Sequence, residues 1–258
     1  MTTLKEIMLL LESFSQEDRE TVLAQAKQYD ELLAKLPKAV NGAGSKKKNS
    51  AGILALNGAS GAGQSYVMAR VKNLLQEKAL TLPRIYLLGT RPPRPGEGHK
   101  DPYIFVEEKA DGFQDVHNPE ITYSHSDIYY RYQSRPGADN AILLKDVQAA
   151  RKSIMYLETV VPTLIEMKTK EIAGIPPWGD ELQIVYLAAP SGHEWVFRLL
   201  NREPDRLVEE KYRATIMGRL ESSLSDMQLA AEHKIPCVLN RHGLAEEAAQ
   251  EILTAWGL

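Results

Sequence analysis

The residues Gly58 to Ser65, GASGAGQS, follow a short apolar run, Ile53 to Leu56, and keep the spacing G-x-x-x-x-G-K-[ST] at every position except the lysine. That spacing is the signature of a loop whose backbone N–H groups wrap an anion at a helix N-terminus. Gly58, Gly61 and Gly63 are expected to let the backbone take positive φ and approach phosphate oxygens. Ser60 and Ala62 lie between them, and Ser65 is placed to offer a hydroxyl to Mg²⁺. Gln64 stands where the lysine belongs. A neutral amide there removes one charge from the β/γ-phosphates, a loss of about 10³ or more in rate, roughly 4 kcal/mol, by analogy with an arginine finger. Backbone-mediated binding survives such a change more readily than fast chemistry does.

A second cluster runs from Thr90 to Glu97, TRPPRPGE, with Tyr103, Phe105 and Val106 following. Arg91 and Arg94, three apart and stiffened by prolines, make a preorganised clamp for a phosphate dianion, and a tyrosine hydroxyl adds a donor.

The elements that must position these groups can be read from periodicity. Leu4 to Leu11 and the stretch after Ser15 each carry apolar residues at helical spacing, Val22, Ala26, Tyr29 and Leu33 in the second, and are expected to form an N-terminal helical hairpin over 1–40. Residues 41–50 read as an exposed linker, with Lys46 to Lys48 at the far end of the following strand from the glycine loop. Beyond it the reading is strand Ile53 to Leu56, helix Tyr66 to Lys78, and strand Arg84 to Leu88. Short strands follow near Tyr103 to Val106, Ile121 to His125 and Ile128 to Tyr132, then a helix capped by Asp139 and running to Arg151. Strands Ile154 to Leu157, Gln183 to Ala188 and Cys237 to Asn240 alternate with helices at Pro162 to Lys170, Ser191 to Arg202, Tyr212 to His233 and Leu244 to Trp256. Alternation of this kind implies an α/β fold, a parallel sheet flanked by helices with one inserted subdomain.

Composition bounds the partners. At 43% hydrophobic and 25% charged the chain is globular, and a net charge of −3 provides no general field for nucleic acid. The single Cys237 cannot form an internal disulfide, which favours a reducing, cytoplasmic setting. No run reaches the roughly 20 apolar residues of a membrane span. The histidines lack paired metal-ligand spacing.

The arginine cluster with its later Tyr-x-Phe-Val closely resembles the guanylate kinase signature T-R-x-P-R-x-G-E, and the resemblance extends over most of Ile53 to Leu253. It implies a P-loop kinase fold over 51–258, with core segments 51–89, 150–200 and 234–258. The nucleoside-monophosphate subdomain would occupy 90–140 and a mobile lid about 200–220. It also implies transfer of the γ-phosphoryl of Mg·ATP to (d)GMP. Arg91, Arg94, Tyr103 and Tyr130 then match the family's acceptor-phosphate contacts, with Tyr129 or Tyr132 as alternatives to Tyr130. Arg198 and Arg202 resemble the lid arginines, Arg219 the arginine on the helix after it, and Asn240 the asparagine near adenine. Glu158 matches the acidic residue that orients Mg²⁺ together with Ser65.

The positions expected to read guanine hold Leu87, Thr122 and Val160, with Glu120 and Asp127 nearby. Phosphate recognition is therefore kept while base recognition and the loop lysine are altered. A divergent nucleoside-monophosphate kinase is one reading. The other is a catalytically weak module that binds a phosphorylated ligand or partner through the same clamp, with the N-terminal hairpin mediating self-association or a protein contact.

Overall fold

The computed structural model describes residues 4–39, 51–94, 96–100, 102–135 and 137–258. The linker expected over 41–50 lies outside the described residues. In chain order the elements are helices α1 (Leu4–Leu10) and α2 (Gln16–Leu33), strand β1 (Gly52–Gly58), helix α3 (Gln64–Glu77), and strands β2 (Arg84–Ile85), β3 (Leu88–Gly89), β4 (Ile104–Lys109), β5 (Gly112–Asp115), β6 (Thr122–Ser124), β7 (Ile128–Arg135) and β8 (Ala138–Leu143). Then come α4 (Leu144–Ala150), β9 (Ile154–Leu157), α5 (Val161–Thr169), β10 (Leu182–Ala188), α6 (Gly192–Leu200), α7 (Glu210–Glu232), β11 (Cys237–Leu239) and α8 (Ala245–Trp256).

Five strands form one sheet in the order β11-β10-β1-β9-β2, parallel at the β1–β9, β9–β2 and β10–β11 pairings. Its strands are buried almost throughout, as a parallel sheet with helices on its faces requires. The chain divides into two compact units. One comprises residues 1–47, 56–81 and 184–258, and the other 48–55 and 82–183.

In the first unit the N-terminal helices do not stand apart. Helix α1 packs on α6, and α2 packs on both α6 and α7. Ser15 caps α2 by accepting from Asp18 N, and Val22, Ala26 and Tyr29 turn inward, joined by Leu32 rather than Leu33. The Tyr29 ring stacks on Trp195 at 4.5 Å, and its hydroxyl accepts from Ala189 N at 2.8 Å. Gly192 lets the two helices meet, since a Cβ there would stand 1.9 Å from the Ala26 carbonyl oxygen. The chain after α2 then pairs with β11, Cys237 N donating to Pro37 O and Ala39 N to Cys237 O. Residues 4–39 are thus part of this unit's core.

The second unit carries a mixed sheet in the order β6-β5-β4-β3-β8-β7, in which only β3 and β4 run parallel. Three features differ from the sequence expectation. The strand expected over Arg84 to Leu88 is two strands, because Arg84 and Ile85 pair with β9 whereas Leu88 and Gly89 pair with β4 and β8. The hairpin partner β5 is additional. Asp139 caps no helix: it lies in β8, where its carboxylate accepts from Arg131. The run AILL that follows is apolar on every residue, and so short a run fits a buried strand as well as a helix. The apolar face of this sheet gathers Leu88, Ile104, Val106, Phe113, Ala141 and Leu143.

Candidate functional site

In the first unit β1 ends at the glycine loop and α3 begins at Gln64. Gly61 and Gly63 have φ of 87° and 91°, the left-handed region that favours glycine. Gly58 does not take positive φ as expected. It must be glycine because a Cβ would stand 2.4 Å from the Leu187 carbonyl oxygen of β10.

Side chains hold the loop's carbonyl oxygens. Gln64 Nε2 donates to Gly58 O at 2.7 Å, Trp195 Nε1 to Ser60 O at 2.9 Å, and Asn240 Nδ2 to Ala62 O at 2.8 Å. The Ser60 N–H is itself taken by Ser223 Oγ at 3.0 Å. Helix α3 has no side-chain cap at its N-terminus, Gly63 being the N-cap. With carbonyls tied back and first-turn N–H groups uncapped, the positive end of α3 is suited to an anion. Ser65 lies exposed on that first turn.

Arg198 does not project as a lid cation. Its Nε donates to Glu194 and its Nη2 to the Asn240 backbone oxygen, both at 2.9 Å, so it positions the residue that holds Ala62. Arg202 is exposed just past α6, and Arg219 is half-buried on α7. Both act on Glu203, whose carboxyl is held below the usual range first by its hydrogen bond to Arg206, with Arg202 and Arg219 adding to the effect. Three arginines therefore gather around one carboxylate in the segment read as a lid.

The clamp belongs to the second unit. Arg91 is bidentate on Glu97, Nη1 to Oε2 at 2.6 Å and Nη2 to Oε1 at 2.7 Å, and Arg94 N donates to the same carboxylate at 2.8 Å. The Arg91 guanidinium lies 4.9 Å from the Phe105 ring centroid and 5.4 Å from that of Tyr103. The hydrogen bond from Arg91 holds the Glu97 carboxyl below the usual range. Arg91 is thus locked in place by its own loop, while the Arg94 side chain is exposed. Tyr130 hydrogen-bonds Glu166. Glu158 Oε2 accepts from Arg84 and from the Tyr156 hydroxyl, both at 3.1 Å.

At the base-reading positions Leu87 is buried, Thr122 exposed and Val160 the N-cap of α5. Glu120 is exposed, and Asp127 is committed to Ser124, whose backbone N–H it accepts at 2.7 Å. Neither is set as a substitute reader. Among the described residues no group of three His, Cys, Asp or Glu side chains is placed to hold a metal, and no helix is long and apolar enough to cross a membrane.

Spacing reveals none of the loop's supports on other elements. Trp195 and Ser223 lie 135 and 163 residues from Ser60, and nothing in their local sequence marks them.

The sequence matches no protein-family model. It is 28% identical over 204 residues to a guanylate kinase of Streptomyces coelicolor, covering 78% of this chain and 88% of that protein. It is 27% identical over 205 residues to a guanylate kinase of Streptomyces kasugaensis, covering 78% and 84%. Among solved structures it is similar to guanylate kinase from Anaplasma phagocytophilum, with 16% identity, 81% and 86% coverage and a TM-score of 0.47.

Proposed function

We propose that this chain is a divergent member of the guanylate kinase family and a phosphotransferase that moves the γ-phosphoryl group of Mg·ATP to GMP, dGMP or a related nucleoside monophosphate. The observation that carries the proposal is the glycine loop, whose carbonyls are held by Gln64, Trp195 and Asn240. A turn that only joins a strand to a helix has no need of such support. The named relatives favour GMP as acceptor.

On this reading the N–H groups around Gly61, Ala62 and Gly63 hold nucleotide phosphates, and Ser65 would offer its hydroxyl to Mg²⁺, which would supply charge neutralisation at the transferring phosphoryl. Arg91, Arg94 and Tyr103 hold the acceptor's phosphate. Arg202 and Arg219 bring positive charge from the lid segment, about 200–220, and Arg198 keeps Asn240 in place. Gln64 contributes a neutral donor only, so transfer is slow.

The second reading, phosphate recognition without transfer, is favoured by one observation. The Gln64 amide is spent on Gly58 O instead of being turned to a ligand. Calorimetric titration with Mg·ATP and separately with GMP, followed by a coupled assay for ADP on the same sample, distinguishes the two. Binding of both with ADP formation supports the kinase; GMP binding without ATP binding or turnover supports the recognition module.

A further inference from the structure

The glycine loop provides for phosphates, and the nucleoside beyond them needs a partner of its own. Asn240, which the resemblance places near adenine, is turned to the loop instead. It is 6% exposed, its Nδ2 donates to Ala62 O at 2.8 Å, and its backbone oxygen accepts from Arg198 at 2.9 Å. Its amide nitrogen is committed to holding the loop.

Helix α3 opens with Gln64, Ser65 and Tyr66. Gln64 is bonded to Gly58 O, and Ser65 is a small hydroxyl. Tyr66 is the large side chain of this turn, and it stands 58% exposed while Val67, Met68 and Val71 take the buried face. Helical side chains lean toward the helix N-terminus, so the surface a residue covers lies over the turn before it. The Tyr66 ring is therefore directed toward the uncapped N–H groups and the loop.

Arg70, one turn on, steadies the ring. Its guanidinium lies 5.5 Å from the Tyr66 ring centroid, and its Nη2 donates to the phenol oxygen at 3.4 Å. Glu246 acts on Arg70 from α8. The ring is thus braced by a cation and still open to solvent over more than half of the residue's surface. An aromatic ring in that place offers what a short polar side chain does not, a flat face for a planar base.

We infer that Tyr66 is the platform on which the donor's nucleobase stacks, with Arg70 holding the ring, and that the donor class is purine nucleoside triphosphates in general rather than ATP alone. Stacking tolerates a change of base because every base has a π-face, whereas adenine and guanine are told apart by hydrogen bonds at their edges. With Asn240 committed to Ala62, the chain keeps the stacking and gives up that edge contact. The inference rests on the reading of the glycine loop as the donor-phosphate site.

The test is calorimetric titration of Mg·ATP, Mg·GTP and inorganic tripolyphosphate against the full chain and its Tyr66→Ala and Tyr66→Phe variants. Because Tyr66 is exposed, both variants are expected to fold as the unaltered chain does. ATP and GTP are expected to bind the unaltered chain within about tenfold of each other. Tyr66→Ala is expected to weaken both by about tenfold to a hundredfold and to leave tripolyphosphate unchanged, while Tyr66→Phe keeps the ring and binds both as before. Unchanged ATP affinity in Tyr66→Ala, with tripolyphosphate still bound, overturns the inference and leaves the loop standing. An equal loss of tripolyphosphate in that variant assigns Tyr66 to the phosphates and overturns the base contact. A preference for ATP beyond about tenfold, or a loss in Tyr66→Ala for ATP but not GTP, overturns the wider donor class. No binding of any of the three to the unaltered chain overturns the loop and the inference together. A second measurement reads the stacking itself. The H2 and H8 proton resonances of ATP are expected to move upfield on binding to the unaltered chain and to Tyr66→Phe; the same shift with Tyr66→Ala overturns the inference.

Discussion

Gln64 donates its side-chain amide to the carbonyl oxygen of Gly58 at 2.7 Å, so the residue standing in the lysine position is hydrogen-bonded to the loop itself. The amide keeps one job a long polar side chain can do there, ordering the loop. It gives up the other, since it carries no charge to the phosphates. The loop is therefore organised for an anion by neutral donors alone.

Trp195 is the support most separable from the rest of the core. Trp195→Phe keeps an aromatic ring to stack on Tyr29 and removes the indole N–H from Ser60 O. A stability loss of about 1–3 kcal/mol is expected from the unpaired carbonyl, with weaker Mg·ATP binding. Urea unfolding and nucleotide titration of the same variant check both; unchanged ATP affinity would show that the loop does not need this tether.

Glu97 gives the clamp a pH dependence of known sign. Its carboxyl is depressed by Arg91, so its stabilisation is complete above the unfolded value of about 4.5 and is lost as pH falls through the lower folded value. Melting temperature should therefore fall more steeply for the unaltered chain than for Glu97→Gln between about pH 5 and 3. At pH 7 Glu97→Gln should cost on the order of 1 kcal/mol. Other depressed carboxylates, such as Glu203, fall in both proteins and cancel in the comparison. Parallel melting curves would remove Glu97 as the group that locks Arg91.

Tyr29 ties α2 to the end of β10 through Ala189, accepting from its N–H at 2.8 Å and donating to its carbonyl at 3.2 Å. Tyr29→Phe leaves both groups without the hydroxyl and is expected to cost about 1–3 kcal/mol. A single cooperative melt shifted downward is the expected outcome. A separate early transition would mean that residues 4–39 unfold on their own.

The turn at the glycine loop was legible because local spacing determines it, Gly61 and Gly63 taking positive φ, and the arginine cluster is local too, Arg91 meeting Glu97 only six residues away. The N-caps of α2 and α6 are local in the same way, the Ser15 side chain accepting from Asp18 N and that of Ser191 from Glu194 N. What escaped is what depends on distant pairing. Trp195 and Ser223 reach Ser60 from α6 and α7, Asn140 meets Gly89 through strand register, and β5 and β8 are short strands defined by their partners. Arg198 shows the same limit, since its place on the helix after Ser191 was readable but its bond to the Asn240 carbonyl was not.

The most direct test of the kinase reading is single-turnover formation of ADP from Mg·ATP with GMP, measured for the unaltered chain and for Gln64→Lys. Slow but GMP-dependent ADP formation is predicted for the unaltered chain, with an increase of about 10²–10³ when the charge is restored. No GMP-dependent ADP from either protein would contradict the account and leave the fold with phosphate recognition alone.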